Sequence, residues 1–214
     1  MSSILERLAK LKIIPIVVMD KAEHAAAFGE VLAAGGLPVA EVTFRTPAAE
    51  QSVRTLAKRG DLLVGAGTIL TTEQADRAID AGAQFLVAPG TNPKVVEHAV
   101  KRSIPMLPGI ATPSEIELAM SAGAAALKFF PAETMGGVAA LKAFAGPYSD
   151  ALFVPTGGIT PELLPSYLAL KQVVACGGSW MAPREFLREG RFDAIAALIG
   201  DAVQLLEAPP EVAT

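Results

Sequence analysis

The sequence predicts an α/β fold: a single (β/α)8 barrel preceded by a short N-terminal helix. Three observations predict it. Eight short apolar or β-branched runs recur about 20–26 residues apart, the length of one strand-loop-helix-loop unit. Ala-rich amphipathic segments separate them, opening on Thr, Asn or Pro and closing on Gly. No G-x-G-x-x-G follows the first run, where a doubly wound open sheet would carry one. Strands that alternate with helices imply a parallel sheet covered by helices. Eight units in 214 residues are enough to close that sheet.

The elements follow in order. Residues 1–12 alternate charge and apolarity, as a short helix does and a signal peptide does not. The predicted strands are 13–18, 39–44, 62–66, 85–88, 105–107, 125–129, 151–155 and 173–176. Asp20-Lys21-Ala22-Glu23 reads as a helix start. Thr46-Pro47 predicts a helix with Thr46 as N-cap and Pro47 in the first turn. Thr71-Thr72-Glu73, Asn92-Pro93, Thr112-Pro113-Ser114-Glu115 and Thr160-Pro161-Glu162 predict four further starts. Gly35-Gly36, Gly60, Gly82 and Gly123 mark helix ends. Residues 1–207 read as one barrel domain and 208–214 as a loose, Pro-rich tail.

Composition excludes several function classes. Lys and Arg total 18 against 22 Asp and Glu, a net charge of −4, and no basic stripe suggests nucleic-acid binding. No apolar run is long enough for a membrane span. The single cysteine, Cys176, excludes an internal disulfide and fits a reducing cytoplasm. It reads as a small core hydrophobe near the barrel mouth. His24 and His98 fall on predicted helices, and two histidines with no Cys partner do not make a zinc site. Trp180 reads as packing beneath the eighth loop.

Barrels of this kind carry their chemistry at the C-terminal ends of the strands. In Ala126-Leu127-Lys128-Phe129-Phe130-Pro131 a lysine lies inside an apolar run. Burial of a lone ammonium lowers its pKa, and a free amine attacks a ketone to give a Schiff base. The other reading is a strand-end lysine whose head reaches water. In the second strand, alternation places Glu41, Thr43 and Arg45 on the inward face and Ala40, Val42 and Phe44 on the helix-covered one. Glu41 and Arg45 could equally form a buried ion pair with no catalytic duty. A lysine and a carboxylate at one apolar mouth provide a nucleophile and a proton shuttle. Thr68 offers a hydroxyl at the same mouth, after Gly65-Ala66-Gly67. Strand seven ends in Gly157-Gly158 and strand eight in Gly177-Gly178-Ser179. Paired glycines after the last two strands are the usual phosphate cradle of this fold, although tight turns alone would also use them.

Five stretches together resemble the KDPG aldolases, KDPG being 2-keto-3-deoxy-6-phosphogluconate. They are Glu41-Val42-Thr43-Phe44-Arg45-Thr46, Val64-Gly65-Ala66-Gly67-Thr68, Lys128-Phe129-Phe130-Pro131-Ala132-Glu133, Pro155-Thr156-Gly157-Gly158-Ile159 and Gly177-Gly178-Ser179-Trp180. The resemblance implies a class I, metal-independent aldolase without cofactors. It would cleave KDPG to pyruvate and glyceraldehyde 3-phosphate, and also 4-hydroxy-2-oxoglutarate to pyruvate and glyoxylate. It further implies a cytoplasmic homotrimer whose partner is a small-molecule substrate. By resemblance Lys128 is the Schiff-base lysine and Glu41 the proton shuttle. Arg45 and Thr68 hold the pyruvyl carboxylate, Pro89 lines its pocket, and Gly157, Gly158, Gly178 and Ser179 hold the phosphate. Thr156 resembles the gluconate-specific branch. Met19-Asp20 departs from relatives with a basic residue near that strand end. The alternatives are a galactonate-specific aldolase, a phosphosugar isomerase or epimerase on the same barrel, a non-catalytic phosphosugar sensor and a metal-dependent aldolase.

Overall fold

The computed structural model of the chain describes residues 3–207. The expected tail, 208–214, lies outside the described residues. Helix α1 (Ser3–Leu11) lays Leu5 and Leu8 on the core, and strand β1 (Ile13–Val17) follows. A regular parallel arc then runs through β2 (Val39–Thr43), β3 (Leu63–Gly67), β4 (Phe85–Val87) and β5 (Met106–Leu107), each paired with the one before. On its other edge β1 pairs with β8 (Cys176–Gly178), Ile13 opposite Cys176 and Pro15 opposite Gly178.

The remaining side of the barrel is held by shorter pairings. The fifth predicted strand, 105–107, is regular at β5, and Pro108, with no N–H to add to a ladder, separates it from a further short strand, β6 (Gly109–Ile110). β6 pairs with β7 (Lys128–Phe129). The seventh predicted strand, 151–155, is reduced to single bridges: Phe153 joins Leu127 on one side and Val173 on the other, and Thr156 joins Gly177. The eighth, predicted at 173–176, is regular only at Cys176–Gly178. Hydrogen bonds nonetheless cross every gap, including Val154 N–H to the Leu127 carbonyl at 2.8 Å and Val174 N–H to the Phe153 carbonyl at 2.9 Å. The cylinder therefore closes, as the strand count implies.

Helices α2 (Ala25–Ala34), α3 (Ala49–Ala57), α4 (Thr72–Asp80), α5 (Pro93–Lys101) and α6 (Pro113–Ser121) wrap the arc. α7 (Gly137–Ala145), α8 (Leu164–Leu168), α9 (Arg184–Glu189) and α10 (Phe192–Glu207) complete the wrapping. The longer helices bury residues at helical spacing, such as Val95, Val96 and Ala99 on α5, whereas the short α9 buries only Leu187. Full burial of one large aliphatic or aromatic side chain contributes about 1.5–3 kcal/mol, so the fully enclosed Phe28, Phe85, Phe129 and Phe153 are major supports.

Three helix starts obey their local signals. Thr71 accepts from Gln74 N–H, Asn92 accepts from Lys94 N–H, and Thr112 with Glu115 forms a reciprocal capping box. Two do not. Thr46 is not an N-cap: its hydroxyl donates to the Met19 carbonyl, and α3 begins only after a turn, with Ala48 in the cap position. Long-range anchoring of the first loop has taken that side chain from its local role. Thr160-Pro161-Glu162 opens a turn, and α8 starts at Leu164. Asp20-Lys21-Ala22-Glu23 leads into a single 3-10 turn, Ala22–His24. His24 Nδ1 lies 2.6 Å from the Leu187 carbonyl and His98 Nε2 2.9 Å from Asp76 Oδ1, so both hold elements together.

Candidate active site

The strand ends converge on a cleft of about 240 Å³ at the C-terminal rim. β2 sends Glu41 and Thr43 into it at period two, as a strand with an apolar outer face must, and Arg45 enters from the turn just after the strand. Thr68 follows β3, Pro89 follows β4, and β7 supplies Lys128. Thr156, Gly157 and Gly158 enter from the seventh position, and Gly178 and Ser179 from the eighth. All ten residues singled out in the sequence line this one cleft.

At its buried end Lys128 Nζ lies 3.4 Å from Glu41 Oε1, with side-chain exposures of 8% and 4%. The lysine head is therefore inside and not in water, which removes the snorkelling alternative. A pair of opposite charges this close satisfies both groups where water cannot. The ammonium also stands 5.2 Å from the centre of the Phe130 ring. Arg45 behaves differently from the ion-pair reading of the sequence. Glu41 pairs with Lys128, and the Arg45 guanidinium has no side-chain partner among the described residues. The hydroxyls of Thr68 and Ser179 likewise have no partner among the described residues. Three donors that converge on one cleft with no protein acceptor leave capacity for an anionic ligand.

Gly157 and Gly158 turn with φ of +102° and +80°, a region that disfavours any Cβ. That turn points the backbone into the far end of the cleft. Thr68 itself holds φ +59°, uncommon for a β-branched residue. Such outliers cluster where geometry is over-determined. Thr43 is tied down, its hydroxyl donating to the Val17 carbonyl at 3.0 Å. Asp20, beyond β1, accepts a bidentate pair from Arg184 at 2.8 and 2.7 Å, which holds its carboxyl below the usual carboxylate range. Cys176 is fully buried, and burial pushes its thiol up to about 12. It is a core residue and not a nucleophile.

A sequence model described as KDPG and KHG aldolase matches residues 4–198. The chain belongs to the KDPG and KHG aldolase family. A 2-dehydro-3-deoxy-phosphogluconate aldolase of Treponema pallidum is 44% identical over 207 residues, 96% of this chain and 99% of the relative. The KHG/KDPG aldolase of Escherichia coli K12 is 45% identical over 193 residues, 90% of this chain and 91% of its own. A KDPG aldolase of Legionella pneumophila, solved with pyruvate captured as a covalent carbinolamine, superposes with a TM-score of 0.89 at 36% identity. That match covers 94% of this chain and 98% of the other. The chain is thus an aldolase, a lyase on a (β/α)8 barrel, that acts on small molecules. No helix among the described residues is long and apolar enough to cross a membrane.

In this aldolase the cleft wall also contains Gly177, the first of the paired glycines after strand eight, and Ile16, Val18, Phe130 and Ile159, to which the sequence reading gave no role. Phe130 had a signal: it shares the alternation of Lys128, two residues on. Ile16 and Val18 share the inward face of the first strand in the same way. Ile159 lies beyond the irregular seventh strand, and no periodicity marks it. The Trp180 indole rests against Gly178, in keeping with its expected place under the eighth loop.

Proposed function

We propose that this aldolase cleaves KDPG to pyruvate and glyceraldehyde 3-phosphate through a Schiff base on Lys128. We also propose that it cleaves 4-hydroxy-2-oxoglutarate to pyruvate and glyoxylate. The observation that carries this reading is the buried contact between Lys128 Nζ and Glu41 Oε1, 3.4 Å across an otherwise apolar end of the cleft. The amine attacks the substrate's C2 ketone, and loss of water leaves an iminium. The positive nitrogen draws the electrons of the C3–C4 bond as Glu41 takes the proton of the C4 hydroxyl. The aldehyde departs and the enamine of pyruvate remains. Protonation at C3 and hydrolysis release pyruvate and restore the lysine.

The unpartnered donors fit the rest of the substrate. Arg45 and Thr68 hold the carboxylate beside the reacting ketone, with Pro89 packing on the pyruvyl group. Gly157, Gly158, Gly178 and Ser179 hold the phosphate at the far end through backbone N–H groups and one hydroxyl. Thr156 favours the gluconate over the galactonate configuration. Holding the phosphate away from the reacting bond lets its binding energy orient C3 and C4. The working assembly is a homotrimer, in line with the family resemblance, of about three times 22.1 kDa.

Borohydride added with pyruvate tests the reading. The expected product is a stable pyruvate-derived mass on the peptide carrying Lys128, absent in Lys128→Ala, which folds and releases no pyruvate from KDPG. Substantial cleavage by Lys128→Ala, or an adduct only elsewhere, would refute it. Chelator is expected to leave the rate unchanged, and light scattering is expected to give the trimer mass.

A further inference from the structure

Gly67 ends β3 beside the Glu41 side chain. The ladder sets Glu41 opposite Gly65 and Thr43 opposite Gly67, so Gly67 lies one pleat nearer the mouth on the same inward face. The Glu41 side chain leans over it. A Cβ at Gly67 would stand 2.1 Å from Glu41 Oε1 and 2.8 Å from its Cδ and Cγ. No such contact is tolerated, so one side must move. The backbone is constrained: the Gly67 carbonyl accepts from Phe44 N–H at 2.7 Å, and the next residue, Thr68, sits at φ +59°. The glutamate is an arm of three rotatable bonds whose one side-chain partner among the described residues is Lys128 Nζ. A methyl group at 67 therefore displaces the carboxylate before it displaces the strand.

We propose that Gly67 is a positioning residue, its missing Cβ forming the slot that keeps the Glu41 carboxylate beside the Lys128 amine. The inference rests on Glu41 as the proton acceptor. It separates two steps that share the cleft, because attack by Lys128 does not need the slot and proton removal does.

Gly67→Ala tests it. The variant is expected to keep a thermal midpoint near wild type and to trap pyruvate on Lys128 with borohydride as fully as the parent. Its kcat for KDPG is expected to fall about 10²-fold or more, the scale of a misplaced acid–base group, with KM little changed. Adding Glu41→Asp, which shortens the arm by one methylene, is expected to raise kcat above that of Gly67→Ala alone. A Gly67→Ala chain with wild-type kcat, one that does not fold, or a double variant no faster than the single overturns the slot. Glu41→Ala separates the two claims. Wild-type turnover in that variant removes the proton-acceptor reading and the slot with it, whereas loss there but not in Gly67→Ala removes the slot alone.

Discussion

Lys128 and Glu41 are each nearly inaccessible and each is the other's counter-charge, at 3.4 Å. Two charges taken out of water seldom repay their desolvation, so a well-packed apolar pair in their place is often neutral or stabilising by about 1–4 kcal/mol. The double variant Lys128→Met/Glu41→Leu is accordingly expected to release no pyruvate and yet to unfold in urea at an equal or higher midpoint. A lower midpoint would show that the pair supports the fold. Cys176 offers a second check at this scale. With its thiol raised to about 12 by burial, it is expected to resist a thiol reagent at pH 8 in the native chain and to react once unfolded. Much of this was legible in advance. The alternation of Glu41, Thr43 and Arg45 and the polar head of Lys128 in an apolar run are local patterns. That Lys128 and Glu41 share one mouth was read from the sequence, but the choice between Lys128 and Arg45 as the ion-pair partner of Glu41 was left open, since it depends on which inward side chains meet across the barrel, 87 residues apart.

Single helices and loops have their own energetics. The Thr112–Glu115 capping box supplies partners for helix-start N–H groups on α6, so Thr112→Ala is expected to lower stability by about 0.5–2 kcal/mol in denaturant titration. Glu50 on α3 accepts from Arg77 on α4 at 2.8 Å and from Arg54 at 3.3 Å, and the Arg77 bond leads in holding its carboxyl below the ordinary 4.5. A depressed native value adds stability above the unfolded value and loses it as pH falls through the native one. Glu50→Gln is therefore expected to lower the thermal midpoint at pH 7 and to flatten its decline below about pH 4.5. An unchanged decline would show that the pair contributes nothing. The caps at Thr71, Asn92 and Thr112 are read from three or four consecutive residues, which is why the sequence suffices for them. Thr46 has the same local signal and a different fate, because the Met19 carbonyl it meets belongs to another loop.

Across the whole barrel the hydrogen bonding is uneven. β2 and β3 share five consecutive pairs, whereas the seventh position is held at the isolated bridges of Phe153 and Thr156. Amides of Val39–Thr43 are expected to exchange with deuterium more slowly than those of 153–156, and equal rates would mean that the irregular side opens only with the whole. The repeat spacing and the strand count were visible in the sequence because each unit carries its own apolar run. The weak seventh strand was not, because pairing is a property of neighbours, and here the neighbours are themselves short.

The seam between Ile13 and Cys176 is the last join that the chain can make. During synthesis Lys128 leaves the ribosome some fifty residues ahead of Cys176. Until the two ends of the sheet meet, the cleft around that lysine lacks Gly177, Gly178 and Ser179 from its wall. The nascent chain thus carries an unfinished cleft, whose wall is completed only when the final stave slides in beside the first.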